Sequence, residues 1–306
     1  MHIPGGFLSG QTCWVTNLFS CSILGYFITG LKELKDKSRL VFYALTAAMI
    51  FALQMLNFPI LNGTSGHFVG AALAMFAAGP YIGSLIMAVV LAVQALFFND
   101  GGIMALGSNI LCMSLVAVWV PYLIQKTTRI NKYLMIIAAS WFSVASAALV
   151  CSLLLAISGT VPLFKVLPAM LGYHALIGIG EAVITTVVYF VFVDEQALLR
   201  TSNILSSKVS LVYGFMALIL ATLVSPLASS HPDGLERAGE ILGFISKGVQ
   251  ESIFISPLAD YSVPHMVSGA MSTGTAGLIG TILSFILAAG FFLMIRNYYK
   301  KYVVQA

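Results

Sequence analysis

Two histidines lie where their nitrogen atoms could bind one metal ion together. His2 follows Met1, and His67 ends the motif Gly63-Thr64-Ser65-Gly66-His67, which opens an apolar segment. A free α-amine followed by histidine chelates a metal through the amine, the peptide nitrogen of His2 and its imidazole, which leaves one equatorial position for His67. Square-planar nitrogen ligation suits Ni(II) or Cu(II). We therefore predict a metal site of Met1, His2 and His67 that releases its ion on acidification, because its ligands must be deprotonated.

This chelate requires a free amino group on Met1. The first lysine is Lys32, so the opening residues lack the basic region of a secretory signal. Histidine in second place also disfavours removal of the initiator methionine, because the aminopeptidase prefers small neighbours. We therefore expect Met1 to persist.

The composition is that of a membrane protein. Of 306 residues, 59% are hydrophobic and 8% are charged, against roughly 25% charged in soluble domains. This predicts an all-α bundle of transmembrane helices with no large soluble domain. Lysine and arginine form short clusters between apolar runs, which indicates membrane sidedness rather than nucleic-acid binding. The 4 cysteines form no C-x-x-C pair and are expected to be small packing residues.

Apolar runs separated by charged or Gly, Pro and Asn clusters predict about nine spans. They fall near residues 10–30, 38–58, 65–79, 80–98, 104–125, 133–158, 168–193, 208–228 and 272–296. The third run is short, about 22 Å at 1.5 Å per residue. If it crosses, 12 of the 15 basic residues lie on one side, as the positive-inside rule requires. We therefore predict an extracytoplasmic N-terminus and a cytoplasmic C-terminus.

This topology places Met1, His2 and His67 on the same side of the membrane. Small residues recur at every fourth position of the third run, at Gly66, Gly70, Ala74 and Ala78, which allows close packing of helices. A short, closely packed helix can begin below the membrane surface, with His67 at the floor of a cleft. The apolar opening residues could then fold into that cleft and deliver the amine.

Several polar residues could support the ion or its path. His174 and Glu181 are seven residues apart on one helix face, where they form either an ion relay or structural pairs with neighbouring helices. Asn109 either holds a ligating imidazole, as such ligands usually require, or makes an interhelical hydrogen bond. Ser65, in the His67 motif, is a further candidate for supporting a ligand or lining the ion's path.

The longest polar stretch, residues 229–271, separates the last two predicted spans and is expected outside. Its Asp233, Glu236, Asp260 and His265 either gather cations or fold and dock the loop. The chain has no Walker A motif, nucleophile elbow or H-E-x-x-H sequence. The sequence therefore offers no support for an ATPase or hydrolase.

Several motifs resemble one family. The opening residues Met1 to Leu8, the motif ending in His67 and the stretch from His174 to Glu181 look like the CbiM/NikM substrate-binding subunits of nickel and cobalt energy-coupling factor (ECF) transporters, over residues 1–200. Residues 201–306 resemble the small partner CbiN/NikN in its PDGLE form, through residues 232–236 and 256–261. The order suggests a fusion, with seven spans in the first part and two in the second.

The resemblance implies that Met1, His2 and His67 carry the ion through amine, amide and ring nitrogens. It also implies a plasma-membrane location and two absent kinds of partner, a transmembrane coupling (T/Q) subunit and cytoplasmic ATPase (A/O) subunits that hydrolyse ATP. This chain departs from the family at Gly5, where an Asp is usual, which puts in doubt how the terminal segment is held.

The sequence thus predicts a metal-capture component for Ni(II), with Co(II) as the alternative substrate. A rival from another class is a secondary transporter or channel that uses His174 and Glu181 as a proton relay. A membrane-embedded enzyme is a third possibility, for which no acid, base and nucleophile set is visible.

Overall fold

The structure is a computed structural model that describes residues 1–29, 31, 37–193, 203–248, 256–266 and 269–302. Its helices are α1 (Gly10–Thr29), α2 (Lys37–Gln54), α3 (Ala71–Val93), α4 (Leu106–Asn109), α5 (Ala117–Thr127), α6 (Lys132–Ile157), α7 (Leu163–Val188), α8 (Asn203–Ile219), α9 (Gly234–Leu242) and α10 (Gly269–Tyr302). Wider, π-helical turns at Gln94–Phe98, Ile110–Val116, Tyr189–Val193 and Leu220–Val224 extend or join them.

Within the described part of the chain, seven helical segments are long and apolar enough to cross a membrane. Large apolar side chains on their outer faces are exposed, for example Trp14, Leu18 and Tyr26 on α1. Apolar surface on this scale is stable against lipid rather than water. The predicted all-α membrane fold is therefore confirmed. The 4 cysteines form no disulfide bond, and all but Cys21 are buried.

The helices differ from the predicted spans in two places. The apolar part of α2, Arg39–Gln54, is shorter than a full span, and the run 65–79 is helical only from Ala71. Gly79 breaks α3 with φ 79° and ψ 171°. A Cβ on Gly83 would lie 2.9 Å from the carbonyl of Ala74, whereas nine positions along a straight helix span about 13 Å. The chain therefore reverses direction at this glycine.

Residues 57–67 form a β-hairpin, where the sequence predicted the end of the span 38–58 and the start of the span 65–79. β1 (Asn57–Ile60) pairs antiparallel with β2 (Thr64–His67), and Pro59 lies opposite Ser65. The main-chain N–H of Ser65 points away from β1 and donates to the carbonyl of Pro232 at 2.8 Å. Pro59 and Ser65 are therefore a pair without ladder hydrogen bonds. Proline is tolerated at such a position because no main-chain N–H is needed there. The hairpin fixes His67 at the end of β2.

The helix termini lie at two ends of the molecule. At one end, Thr160 in the turn between α6 and α7 donates to the carbonyl of Phe7, and Lys247 donates to the Thr160 carbonyl at 3.0 Å. At the other end, the Tyr299 hydroxyl donates to the carbonyl of Ile28 near the end of α1. Which end faces the cytoplasm stays a prediction, and Lys32, Lys35 and Arg200, which supported it, lie outside the described residues.

Residues 228–268 join α8 to α10, and we call them the connecting segment. Its described parts, 228–248 and 256–266, lie over the end of the bundle that receives the N-terminus. Phe244 meets Phe7 edge to face with ring centroids 5.3 Å apart, and the Leu258 N–H donates to the Phe97 carbonyl at 2.9 Å. The predicted boundary at residues 200 and 201 lies outside the described residues.

Packing of α10 against the end of α8 gives the first prediction. A Cβ on Gly277 would collide with the carbonyl oxygen of Ala221, so Gly277→Ala should destabilise the protein by about 1–3 kcal/mol. Gly290→Ala is the matched control on the same helix, because no atom lies within 4 Å of its Cβ position. Thermal unfolding in detergent measures both. Equal unfolding temperatures for the two variants would contradict the observed packing.

Candidate metal centre

The first seven residues enter the interior of the protein. The side chains of Met1, Ile3 and Phe7 are at most 2% exposed. Asn109 holds the main chain of Ile3, since its Oδ1 accepts from the Ile3 N–H at 2.8 Å and its Nδ2 donates to the Ile3 carbonyl at 3.1 Å. The N–H of Gly102 donates to the same carbonyl at 2.9 Å. Asn109 therefore supports the terminal segment, rather than an imidazole or a plain helix contact.

Main-chain packing takes the place of a side chain at Gly5. A Cβ on Gly102 would lie 2.5 Å from the nitrogen of Gly5 and 2.8 Å from its Cα. The two main chains meet closely because Gly102 has no side chain. Backbone contacts thus hold the terminal segment at Gly5, the position where an aspartate is usual in the family that the sequence resembles.

The amino group of Met1 lies at the centre of a group of polar atoms. It contacts Nε2 of His67 and donates to Oδ2 of Asp233. The ring of His2 stacks on that of His67, with centroids 5.2 Å apart and planes inclined by 13°. Nδ1 of His2 lies 3.0 Å from Oδ1 of Asp100, and its Nε2 is buried without a hydrogen-bond partner. Both predicted imidazoles and the predicted amine therefore come together.

The His67 ring is oriented so that a lone pair can face the amine. Its Nδ1 lies 3.1 Å from the carbonyl oxygen of Phe68. Because a carbonyl only accepts, this contact assigns the ring proton to Nδ1 and leaves Nε2 as an acceptor. Burial and the positive amino terminus lower the pKa of His67, against the opposite effect of Asp233. A neutral imidazole is the form that binds metals.

Glu181 fastens the turn that carries His67 to the interior. It is fully buried, and its carboxylate accepts from the N–H of Val69 at 2.7 Å and from the N–H of Gly70 at 2.9 Å. These donors precede α3 and would otherwise be unsatisfied at its N-terminus. The carboxylate therefore acts on the main chain next to His67.

His174 lies beneath the connecting segment and has no hydrogen bond to Glu181. Its Nδ1 bonds to the carbonyl of Met170 at 2.8 Å, and its buried Nε2 has no partner. A Cβ on Gly234 would lie 2.9 Å from Cε1 of His174. The two residues that could have formed a relay thus make separate contacts, one beneath α9 and one at the start of α3.

Ser65 joins the strand of His67 to the connecting segment. Besides the main-chain bond from its N–H to Pro232, its hydroxyl donates to the carbonyl of His231 at 2.7 Å. Residues 231 and 232 therefore run along the free edge of β2. This contact brings Asp233, the next residue, to the amino group of Met1.

Asp233 has two roles, one for each carboxylate oxygen. Oδ1 accepts from the N–H groups of Leu235 and Glu236 at 2.8 and 2.9 Å, and the Glu236 side chain returns a bond to the Asp233 N–H. This is a capping box that begins α9. Oδ2 faces the amine. Burial alone would raise the pKa of Asp233, but the amino terminus and His67 outweigh it and hold the pKa well below its usual range.

Two residues of this centre were missed by the sequence analysis. Asp100 pairs with His2, and the hydroxyl of Tyr261 donates to its other carboxylate oxygen. Gln94 donates to the same hydroxyl at 3.2 Å. The available signal was an acidic residue in Asn99-Asp100-Gly101-Gly102, directly after an apolar run, but its partner on the other segment could not be read from the sequence.

The remaining acidic-loop candidates lie apart from the amine. Asp260 and His265 are exposed, and Glu236 is engaged in the cap of α9. Among the described residues, no group of three His, Cys, Asp or Glu side chains is close enough to hold an ion. A metal centre here would therefore need the amine or peptide nitrogen atoms of the N-terminus besides side-chain ligands.

The fold and the sequence matches define a multi-pass membrane protein of transition-metal transport. Residues 2–199 match the CbiM family, described as the cobalt uptake substrate-specific transmembrane region. Residues 207–297 match the PDGLE domain. The chain belongs to the CbiM family and carries a PDGLE module fused behind it, as the resemblance in the sequence predicted.

A relative of nearly the same length has both parts. The putative fused nickel transport protein NikMN of Archaeoglobus fulgidus is 37% identical over 301 residues, which cover 95% of this chain and 97% of the relative. The putative cobalt transport protein CbiM 1 of Methanosarcina barkeri is 37% identical over 134 residues, 43% of this chain and 58% of the relative. The chain is thus a nickel or cobalt transport component.

Solved structures resemble the larger part of the fold. A truncated transition metal transporter aligns with a TM-score of 0.58 and 31% identity, covering 64% of this chain and 99% of the other. A further transition metal transporter gives the same TM-score and identity over 68% and 97%.

Replacement of Asn109 should release the terminal segment. Asn109→Ala removes both side-chain bonds to Ile3 and should cost about 1–3 kcal/mol. It should also make the Met1 amine more reactive towards an amine-selective reagent. Asn17→Ala is the matched control, because Asn17 likewise accepts from one main-chain N–H and donates to one carbonyl, both at 2.8 Å, but between α1 and α4. Equal labelling of Met1 in both variants would contradict this role.

A methyl group at Gly234 should disturb the docking of α9. Gly234→Ala places Cβ 2.9 Å from His174, so we expect a lower unfolding temperature that His174→Ala partly restores in the double variant. Gly172→Ala is the control on α7, since no atom lies within 4 Å of its Cβ position. Strictly additive effects of the Gly234 and His174 changes would show that the two residues are not in contact.

Proposed function

We propose that this chain captures Ni(II) from outside the cell as the substrate-specific component of an ATP-driven ECF-type importer. The observation that carries the proposal is the contact between the buried amino group of Met1 and Nε2 of His67. Their residues are 66 positions apart in the chain. An amine and a neutral imidazole turned towards each other are adjacent ligands of a metal that prefers nitrogen.

The proposed chelate uses four nitrogen atoms. The amine of Met1, the peptide nitrogen of His2 and Nδ1 of His2 close a five-membered and a six-membered ring around the ion. Nε2 of His67 takes the fourth position. Nδ1 of His2 lies 3.0 Å from Oδ1 of Asp100, so metal binding would exchange this contact for the ion. Mg(II) and Ca(II) prefer oxygen ligands and would bind poorly.

Nickel is the proposed substrate and cobalt is the alternative. Planar nitrogen ligation favours Ni(II), and the relative that spans almost the whole chain is named as a nickel transport protein. Co(II) and Ni(II) are neighbours in the order of divalent affinities, and other relatives are named as cobalt transport proteins.

Energy coupling is assigned to partner chains in this proposal. The sequence contains no phosphate-binding loop of the Walker A type. A transmembrane coupling subunit and cytoplasmic ATPase subunits would reorient this component so that the ion reaches the other side. The contacts of Glu181 with Val69 and Gly70 favour a structural role for Glu181 over the rival proton relay.

An extension of the N-terminus tests the chelate directly. With Met1 as the authentic first residue, two residues added before it convert the amine into a peptide nitrogen within a buried space. High-affinity Ni(II) binding, measured by calorimetric titration of the purified chain, should then be lost. The same two residues added after Ala306 are the control.

Two further results would decide the matter. His67→Ala should lose binding as the extension does, because it removes the fourth nitrogen. Undiminished Ni(II) binding by the extended chain, or proof that Met1 is blocked or removed in the functional protein, would overturn the proposal.

A further inference from the structure

Asp233 places a second kind of donor atom beside the predicted nitrogen ligands. Its Oδ2 accepts from the Met1 amine and lies 3.5 Å from Nε2 of His67. The amine and Nε2 are themselves in contact. One oxygen and two nitrogen atoms, from three distant parts of the chain, therefore surround one point.

The 3.5 Å between Oδ2 of Asp233 and Nε2 of His67 is close to the separation of adjacent ligands of a single ion. Bonds of about 2.0–2.2 Å at right angles place neighbouring donor atoms about 3 Å apart. The amine and His67 belong to the nitrogen plane, together with the amide and ring nitrogens of His2. Oδ2 of Asp233 contacts the amine, lies 3.5 Å from Nε2 of His67 and is free of the cap, which uses Oδ1.

The position of Asp233 is fixed by the structure around it. The bonds of Ser65 to residues 231 and 232 hold the preceding chain along β2, and the capping box holds the following turn. Gly234 packs so closely against His174 that a Cβ there would lie 2.9 Å from Cε1 of the imidazole. The side chain of Asp233 is 16% exposed, so its carboxylate is built into the centre rather than carried on the surface.

The charge of a loaded centre requires a partner. A divalent ion bound by one deprotonated amide and three neutral nitrogen atoms keeps one positive charge, and a buried charge is costly unless it is paired. Asp233 lies beside the Met1 and His67 ligands, and Asp100 lies beside His2. The carboxylate that pairs with the amino terminus is therefore in place to pair with the ion.

We propose that Asp233 supplies an oxygen ligand to the bound ion from outside the nitrogen plane, so that the PDGLE module completes the metal site. The inference rests on the proposed function, because it takes Met1, His2 and His67 as the nitrogen ligands. It assigns the motif residue a direct part in binding a divalent transition-metal ion.

The test compares visible spectra and Ni(II) affinities of full-length chains with free N-termini. Asp233→Ser is the decisive variant, because serine caps a helix about as well as aspartate but has no second oxygen to reach the ion. Asp233→Asn retains the size and the cap but removes the charge. Glu236→Gln is the matched control, since it removes a charge from the same turn and glutamine preserves the capping box.

An axial oxygen ligand weakens the ligand field of planar Ni(II). We therefore expect the d–d band of Asp233→Ser to move to shorter wavelength, and its affinity to fall about ten-fold or more. Asp233→Asn should show the same shift, because its oxygen serves the cap and its amide NH2 group is a donor that cannot bind the ion, and Glu236→Gln should match the unchanged chain. The spectrum is decisive because a merely structural role for Asp233 would not move the band of the ion that still binds.

The outcomes separate this inference from the proposed function. If the band of Asp233→Ser is identical to that of the unchanged chain, the inference is overturned, whatever the affinity. Asp233 would then be a partner of the Met1 amine but not a ligand of the ion. Parallel titration of His67→Ala tests the nitrogen ligands. Unaltered binding by His67→Ala would overturn the proposed function itself.

Discussion

The structure depends on placing a charged amino terminus inside a membrane protein. A buried, unpaired charge is strongly unfavourable, so the terminus needs partners whose positions are fixed by the surrounding structure. His67 and Asp233 are those partners. Glu181 holds the turn after His67, and the cap of α9 holds Asp233. Much of the polar bonding in this end of the molecule serves to keep these two side chains in position.

This constraint also explains the glycines and the polar main-chain contacts around the terminus. Gly102 meets Gly5 at a distance that a side chain would not allow, and Asn109 satisfies both main-chain groups of Ile3. Burial of a peptide requires that its N–H and carbonyl groups be bonded. The terminal segment thus combines apolar side chains that favour burial with a backbone that is satisfied by a few polar groups.

The sequence predicted the parts of this arrangement that follow from chemistry and periodicity. Met1, His2 and His67 were predicted together because a terminal chelate lacks one nitrogen and the charge distribution puts the three residues on one side.

The β-hairpin of residues 57–67 was missed, because a short apolar run does not distinguish a strand from a helix. Asp100 and Tyr261 were missed because their contact joins residues 161 positions apart, and no local pattern reveals such a pairing. Asp233 was identified as a loop acid, but only the folded connecting segment brings it to the amine.

The most direct test of the account is the coordination shell of Ni(II) bound to the full-length chain with a free N-terminus. X-ray absorption at the nickel edge reports the number and type of ligand atoms and detects the scattering of imidazole rings. The account predicts a shell dominated by four nitrogen atoms, with two imidazoles among the ligands. A six-coordinate shell of oxygen atoms without imidazole scattering would contradict it.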